Sequence, residues 1–207
     1  EPLEMGIVSD DLDKLRRRFR DALDTCDVVL LSGGTSKGAG DLSYHVASEL
    51  GDPGIVAHGV ALKPGKPICL AASGGKAVVI LPGFPTSAIF TFHEFVAPVI
   101  RRLAARSPGI CPGKNSGHAT VAGPIQARLA VKVNSEIGRT EYLLVGLVEA
   151  PDTASPQSPL VAYPMGKGSG SITTFSRADG FVTIDRHEEI VEAGTVVPVQ
   201  LLGKELA

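Results

Sequence analysis

The chain has 207 residues, 43% of them hydrophobic, which supplies enough apolar mass for one large or two modest cores and excludes a disordered chain. A formal net charge of −2, no tryptophan and 5% aromatic residues exclude a basic, base-stacking footprint for nucleic acid. Cys26, Cys69 and Cys111 are odd in number and widely spaced, so they read as thiols in a reducing, cytoplasmic compartment rather than as a disulfide framework or a zinc site. No stretch is long and apolar enough to span a membrane, and the N-terminus lacks the basic and apolar regions of a signal peptide. Glu1 stands where an initiator methionine would, so the sequence reads as a fragment or processed product.

Leu3 to Val8 reads as a short strand, followed by Ser9 as a helix N-cap with Asp10 and Asp11 in the first turn, where carboxylates suit the macrodipole. In the helix that follows, Leu12, Leu15, Phe19, Ala22 and Leu23 share one face, and Arg16, Arg17, Arg18 and Arg20 form a solvated one. Val28 to Leu31 reads as a strand buried on both faces. Asp41 to Leu50 then reads as a helix ended by Gly51, and Ile55 to Val60 as a strand, giving βαβ alternation. Pro67 to Ala72 and Lys76 to Leu81, separated by Ser73, Gly74 and Gly75, have the pattern of a hairpin added to the sheet. Pro85 opens a helix that carries Ile89, Phe92, Phe95, Val96 and Val99, and Pro98 predicts a kink or break in it.

The character changes after Arg106. Pro108, Gly109, Pro112, Gly113 and Gly117 make 108–117 a linker between a domain over 1–107 and another over 118–207. Candidate strands follow at Ala119–Leu129, Glu141–Val148, Leu160–Ala162, Phe181–Ile184 and Val196–Leu201, with a short helix around Ile172 to Ala178 and an exposed loop over Pro151 to Pro159. Five short strands suggest a small barrel or sandwich.

The chemistry concentrates in turns. After the apolar strand the chain runs Ser32-Gly33-Gly34-Thr35-Ser36, where glycines admit close backbone approach and hydroxyls and N–H groups can hold an oxyanion; a tight βα connection explains the same residues equally well. Lys63-Pro64-Gly65-Lys66-Pro67 flanks a turn with two cations, and Pro82-Gly83-Phe84-Pro85-Thr86-Ser87 leads from a strand into a helix. In an open α/β sheet ligands gather at the carboxyl ends of strands, so these three turns are expected to surround one crevice. Asp10, Asp11 and Asp41 stand at helix starts, where either a capping role or a share in a Mg²⁺ site fits. His45, His58, His93, His118 and His187 lack metal-ligand spacing. In the second half, Gly138-Arg139-Thr140-Glu141-Tyr142 and Gly166-Lys167-Gly168-Ser169-Gly170-Ser171 serve either as turns or as anion contacts.

Taken in order, SGGTSKGAGD, KPGKP, LPGFPTSA, GRTEY, GSGS, ADGFVTIDR and EAGTVVPVQLL resemble the molybdopterin molybdenumtransferase family, of the MoeA, gephyrin E-domain and Cnx1 E-domain type, over nearly the whole chain. The resemblance implies the family's C-terminal portion: a doubly wound, molybdopterin-binding α/β domain, N-terminally truncated, followed by a small β-barrel domain. It implies insertion of molybdate into adenylylated molybdopterin with loss of AMP, a need for Mg²⁺, and a homodimer. By the same likeness Asp10 and Asp41 are the catalytic acids and metal ligands and Lys63 is catalytic. Substrate contacts would come from Ser32, Gly33, Gly34, Thr35, Ser36, Lys66, Pro67, Pro82, Gly83, Pro85, Ser87, Arg139 and Ser169, with Ser171 as the alternative to Ser169. Phe84 stands where the family usually has Asn, and Gly59 where a lysine is common. The family's N-terminal domains, and the strand and helix that open its α/β domain, have no counterpart here. The adenylyltransferases of the same pathway share the first domain but not the β-rich second one. A binding module for a ligand or peptide is the non-enzymatic alternative.

Overall fold

The structure, a computed structural model, describes residues 1–33, 42–105, 124–149, 160–166 and 172–202. The chain divides into two units, Glu1–Val60 with Gly65–Ile110 and Ala61–Pro64 with Cys111–Ala207. The segments expected as a linker over 108–117 and as a loop over Pro151–Pro159 lie outside the described residues.

In the first unit Leu3–Val8 joins no sheet among the described residues, contrary to expectation. Met5 and Val8 instead pack onto the core as an apolar strap, while Ile7 is fully exposed. Helix α1 is Leu12–Thr25, and its N-cap is Asp11 rather than Ser9. One Asp11 oxygen accepts the N–H groups of Asp13 and Lys14, each at 3.0 Å, because a carboxylate complements the positive helix end better than a hydroxyl does. The Lys14 N–H above all, with the Lys14 charge and the Asp13 N–H, holds that carboxyl below its usual range against desolvation. Leu15, Phe19 and Ala22 are the buried face of α1, as their spacing requires.

Strand β1 is Val28–Ser32, helix α2 Leu42–Ser48 and strand β2 Pro53–His58. Strand β3, Leu62–Lys63, belongs to the second unit. Strands β4, Cys69–Ser73, and β5, Lys76–Leu81, form the expected hairpin, with Gly74 and Gly75 both at positive φ in its two-residue turn. The sheet order is β1-β5-β4-β2, so the hairpin's first strand lies inside the sheet rather than on its edge. β1 runs parallel to β5, and β4 is antiparallel to both β5 and β2, which leaves β1, β5 and β2 pointing the same way.

The sheet is covered on both faces. Val29, Ala71 and Val78 pack beneath α1, and Ala47 of α2 meets Cys69 and Ile80 on that same side. The opposite side carries Ile68, Val79 and Leu81 against Val96. Helix α3, Pro85–Thr91, runs through a π-helical turn at Phe92–Val96 into helix α4, Ala97–Ala105. The irregularity expected at Pro98 is thus the wide turn just before it, where the Ala97 N–H reaches the carbonyl of Phe92. β1 is not buried on both faces as expected: it is an edge strand, and Leu30 is 41% exposed on the side away from α1.

The second unit contains β3 and the strands β6 Ile125–Leu129, β7 Val133–Asn134, β8 Thr140–Glu149, β9 Leu160–Pro164, β10 Gly180–Ile184, β11 Ile190–Val191 and β12 Val196–Leu201, with helix α5 at Ile172–Arg177. The order β10-β12-β6-β9-β8, closed by a β10–β8 pairing, makes a five-stranded barrel rather than a sandwich. Its interior holds Ala127, Leu143, Val145, Ala162, Val182 and Val199. Closure removes the free edges that short strands would otherwise expose. β9 pairs with β8 only from Val145 onward, and β3 pairs in parallel with Thr140 and Glu141. The inserted two-residue strand therefore covers a stretch of β8 that β9 does not reach.

Candidate functional site

The carboxyl ends of β1 and β5 lie side by side, with Ser32 opposite Leu81, and the Gly33 N–H donates to the Leu81 carbonyl at 3.2 Å. The glycine turn after β1 and the turn after β5 approach so closely that a Cβ on Gly83 would stand 3.7 Å from the Gly33 Cα. The Gly65–Pro67 turn enters β4 at the same end of the sheet, because Cys69 is the register partner of Ile80. Gly65 is packed against α3, where a Cβ would lie 2.5 Å from the Thr91 methyl and 3.8 Å from the Ser87 carbonyl. The described parts of the three turns thus share one edge of the first unit, at the carboxyl ends of β1, β5 and β2.

Asp10 precedes α1, which the two-residue link Cys26–Asp27 joins to β1; Val8 and Leu15, on either side of the helix start, line one cleft with Leu31 of β1. With Asp11 serving as the cap, the exposed Asp10 carboxylate is left out of helix capping. Lys66 is exposed and forms no ion pair among the described residues. Ser32, Gly83 and Pro85 are exposed and Gly33 and Pro67 half-buried, whereas Pro82 and Ser87 are buried, and the Ser87 carbonyl accepts the Thr91 hydroxyl at 2.8 Å. The neighbouring Thr86 hydroxyl oxygen is buried with no hydrogen-bond partner among the described residues, an uncommon state for a buried polar atom. Gly34, Thr35, Ser36, Asp41, Ser169 and Ser171 lie outside the described residues.

Two clefts of the first unit lie away from these turns. One is lined by Met5, Val8, Phe19, Val29 and Leu31 beside the edge strand, and the other, about 380 Å³, by Ser9, Lys14, Arg17, Arg18 and Asp21 along α1. The first is lined mostly by apolar side chains together with Arg18, and in the second Asp21 sits among the cations. Neither cleft reaches Gly33, Lys66 or Gly83.

In the second unit Lys63 Nζ lies 3.3 Å from Oε2 of Glu141, and the Ser135 hydroxyl donates to the same oxygen at 2.8 Å. Glu141 is only 3% exposed, and an ionised carboxylate at that depth requires a cation and hydrogen-bond donors. The Arg139 guanidinium, at the start of β8, pairs with Glu136. The two basic residues expected to meet substrate here are therefore both neutralised within their own unit. Sequence reasoning named Glu141 only as a member of the Gly138–Tyr142 motif, without a role of its own, and passed over Ser135. The signal was present in the strand's alternation, since Glu141, Leu143 and Val145 share the inward side and a carboxylate there calls for a partner.

Among the described residues no group of three or more His, Cys, Asp or Glu side chains could hold a metal ion. No described helix is long and apolar enough to cross a membrane. Of the cysteines, Cys69 is buried and Cys26 half-buried, and Cys111 lies outside the described residues.

Comparison with known proteins matches residues 1–102 to a family described as probable molybdopterin binding domain and residues 126–202 to the MoeA C-terminal region, domain IV. The molybdopterin molybdenumtransferase of Haemophilus influenzae is 25% identical over 97% of this chain and 46% of its own length. Molybdopterin molybdenumtransferase 1 of Mycobacterium tuberculosis is 28% identical over 97% of this chain and 44% of its own length. A crystal structure of a molybdopterin biosynthesis MoeA protein from Pyrococcus horikosii aligns with 95% of this chain and 42% of that one, at TM-score 0.67 and 35% identity. The chain thus spans less than half the length of these relatives.

Proposed function

The chain belongs to the MoeA-type molybdopterin molybdenumtransferase family, and from that membership we propose that it acts in molybdenum cofactor biosynthesis as the portion of the enzyme that holds adenylylated molybdopterin while molybdate is inserted and AMP leaves. The observation that carries the proposal is the meeting of the Gly33, Gly83 and Gly65–Pro67 turns at one sheet edge beside Lys66, which forms no ion pair among the described residues. Glycine backbone open to close approach, beside an exposed cation, suits a phosphate or a tetrahedral oxyanion. The barrel, matched to the MoeA C-terminal region, speaks against the adenylyltransferase alternative.

Within this proposal Ser32, Gly33, Gly83 and Lys66 bind and orient the anionic end of the substrate, joined by Gly34, Thr35 and Ser36. Lys63 holds its place against Glu141. The protein would work with Mg²⁺, in the cytoplasm and as a homodimer. That ion keeps waters and takes only one or two carboxylates plus substrate phosphates, so an exposed, non-capping Asp10 fits it without a preformed cage. Asp10 and Asp41 would hold it, and bound there it would polarise the adenylyl phosphate.

Titrating adenylylated molybdopterin into the chain with Mg²⁺, then adding molybdate and measuring AMP, tests the proposal. Saturable binding followed by molybdate-dependent AMP release is expected, and Asp10→Asn and Asp41→Asn should abolish the release while leaving the fold intact. No binding would overturn the proposal. Binding without release would leave a ligand-binding module.

A further inference from the structure

The proposed site accounts for an anion but for no ring, and one feature beside it is built for a planar ring. His58 is the last residue of β2 and is exposed, and its imidazole stacks on the Tyr44 ring with centroids 4.4 Å apart and 22° between the planes. Tyr44 lies in the first turn of α2, directly beyond the glycine-rich turn that follows β1. His58 is the register partner of Cys69, whose side chain packs with Ala47 of α2. The imidazole therefore stands on the α2 side of the sheet, at the strand-end edge.

The backbone ties this stack to the anion-binding turn. The Gly59 N–H donates to the Ile68 carbonyl at 2.8 Å, and the Val60 N–H to the Lys66 carbonyl at 2.9 Å. The residues just after His58 are thus paired, rung by rung, with the turn that carries Lys66. A Cβ at Gly59 would stand 3.6 Å from the Lys66 carbonyl oxygen, within ordinary contact. Strand β2, last in the sheet order, holds His58, and the Tyr44 ring covers one face of its imidazole.

We propose that the Tyr44–His58 pair is a stacking platform that receives the planar heteroaromatic ring of a phosphate-bearing ligand whose anion lies on the Lys66 and Gly33–Gly83 turns. The proposal rests on the anion site described above. A ring of this class can come from a nucleotide base or from a pterin, and both present the same flat π-face. Stacking tolerates either, because it depends on that face and not on a hydrogen-bond pattern. His58 and Tyr44 are binding residues here, with no part in bond making.

Three probes separate the outcomes when each is titrated into the chain: ribose 5-phosphate, which has the anion without the ring; AMP; and a pterin monophosphate. At least one ring-bearing probe should bind roughly tenfold more tightly than ribose 5-phosphate, the size of one base stacked on an aromatic side chain. Whichever does so identifies the ring's source. His58→Ala and Tyr44→Leu should each erase the ring's advantage and leave ribose 5-phosphate unchanged, and His58→Phe should retain it. Equal binding of all three probes to the wild type, or a ring advantage that survives His58→Ala, would overturn the platform and leave the anion site standing. Failure of all three to bind would overturn both.

Discussion

In the α/β unit the candidate anion-binding groups are held ready: Lys66 is exposed without an ion pair among the described residues, and the Gly33 and Gly83 turns bring bare backbone together. In the barrel unit the corresponding cations are already engaged, Lys63 by the buried Glu141 and Arg139 by the more exposed Glu136. A group left unpaired can bind an anion at once. A paired group must first give up its partner, and a buried partner is far harder to give up than an exposed one. The difference predicts that anion affinity originates in the α/β unit and that the barrel contributes in proportion to how weakly its cations are held.

The largest effect that would break this contrast is on the geometry of the turn that carries Lys66. Gly65 has φ +119, and a side chain there would meet the Thr91 methyl at 2.5 Å, with Thr91 itself fully buried and bonded to Ser87. Gly65→Ala is expected to cost about 2–4 kcal/mol, combining backbone strain with overpacking. Thermal unfolding measures it. A loss below about 1 kcal/mol would mean that the turn adapts and that its readiness is not structural.

Next in size is the buried pair of the barrel. Glu141→Ala leaves Lys63 Nζ and the Ser135 hydroxyl without their shared acceptor. Breaking a fully buried pair costs about 3–5 kcal/mol, but Lys63 is 32% exposed and can be partly rehydrated, so about 2–3 kcal/mol is expected. Lys63→Met should cost at least as much, because it strands the deeper charge. Urea unfolding of the two variants decides it, and equal stability of both with the wild type would place Lys63 in the free class alongside Lys66.

The elements of the α/β unit were legible because their signals are local: a 3.6-residue apolar stripe in α1, Gly74-Gly75 between alternating strands, and proline at the start of α3. What was not legible depends on partners distant in sequence. Nothing near Leu62 and Lys63 announces a strand, since their pairing partners are Thr140 and Glu141. Leu30 reads as core by composition, and only the sheet order reveals that β1 is an edge. The short pairing of β7 with β11, Val133–Asn134 with Ile190–Val191, is likewise invisible to periodicity in two residues. At the site, the motifs located the turns, while the states of their charges came only from contacts such as Glu136 on Arg139.

Lys66→Ala tests the ready half of the comparison with a smaller effect. Removing one charge-assisted contact should weaken molybdate or phosphate binding about tenfold, with the loss shrinking as ionic strength rises. Stability should not change, because the exposed side chain has no ion-pair partner to lose among the described residues. Isothermal titration at two salt concentrations provides the measurement. An unchanged affinity would move the anion site away from this turn.

The smallest expected effect is also the one that isolates the engaged half. Glu136 and Arg139 have side chains 53% and 35% exposed, so their pair is worth at most about 1 kcal/mol and its removal should leave stability nearly unchanged. Glu136→Gln keeps the shape of the side chain but releases the guanidinium fork, whose planar donors suit a tetrahedral oxyanion. Molybdate affinity should then rise by a few-fold at low salt, up to about the fivefold that the pair's strength permits, and the gain should fade as salt screens it. Molybdopterin binding should respond less, since the proposal places its phosphate on the turns of the α/β unit rather than on Arg139. The decisive control is the double variant Glu136→Gln with Arg139→Ala: if Arg139 is the group released, the gain disappears there and molybdate binds more weakly than in the wild type. A gain that persists without Arg139 would mean that deleting one negative charge acts through the general field of the barrel. Arg139 would then be a strand-start residue held by its neighbour, and the α/β unit would bind the oxyanion unaided.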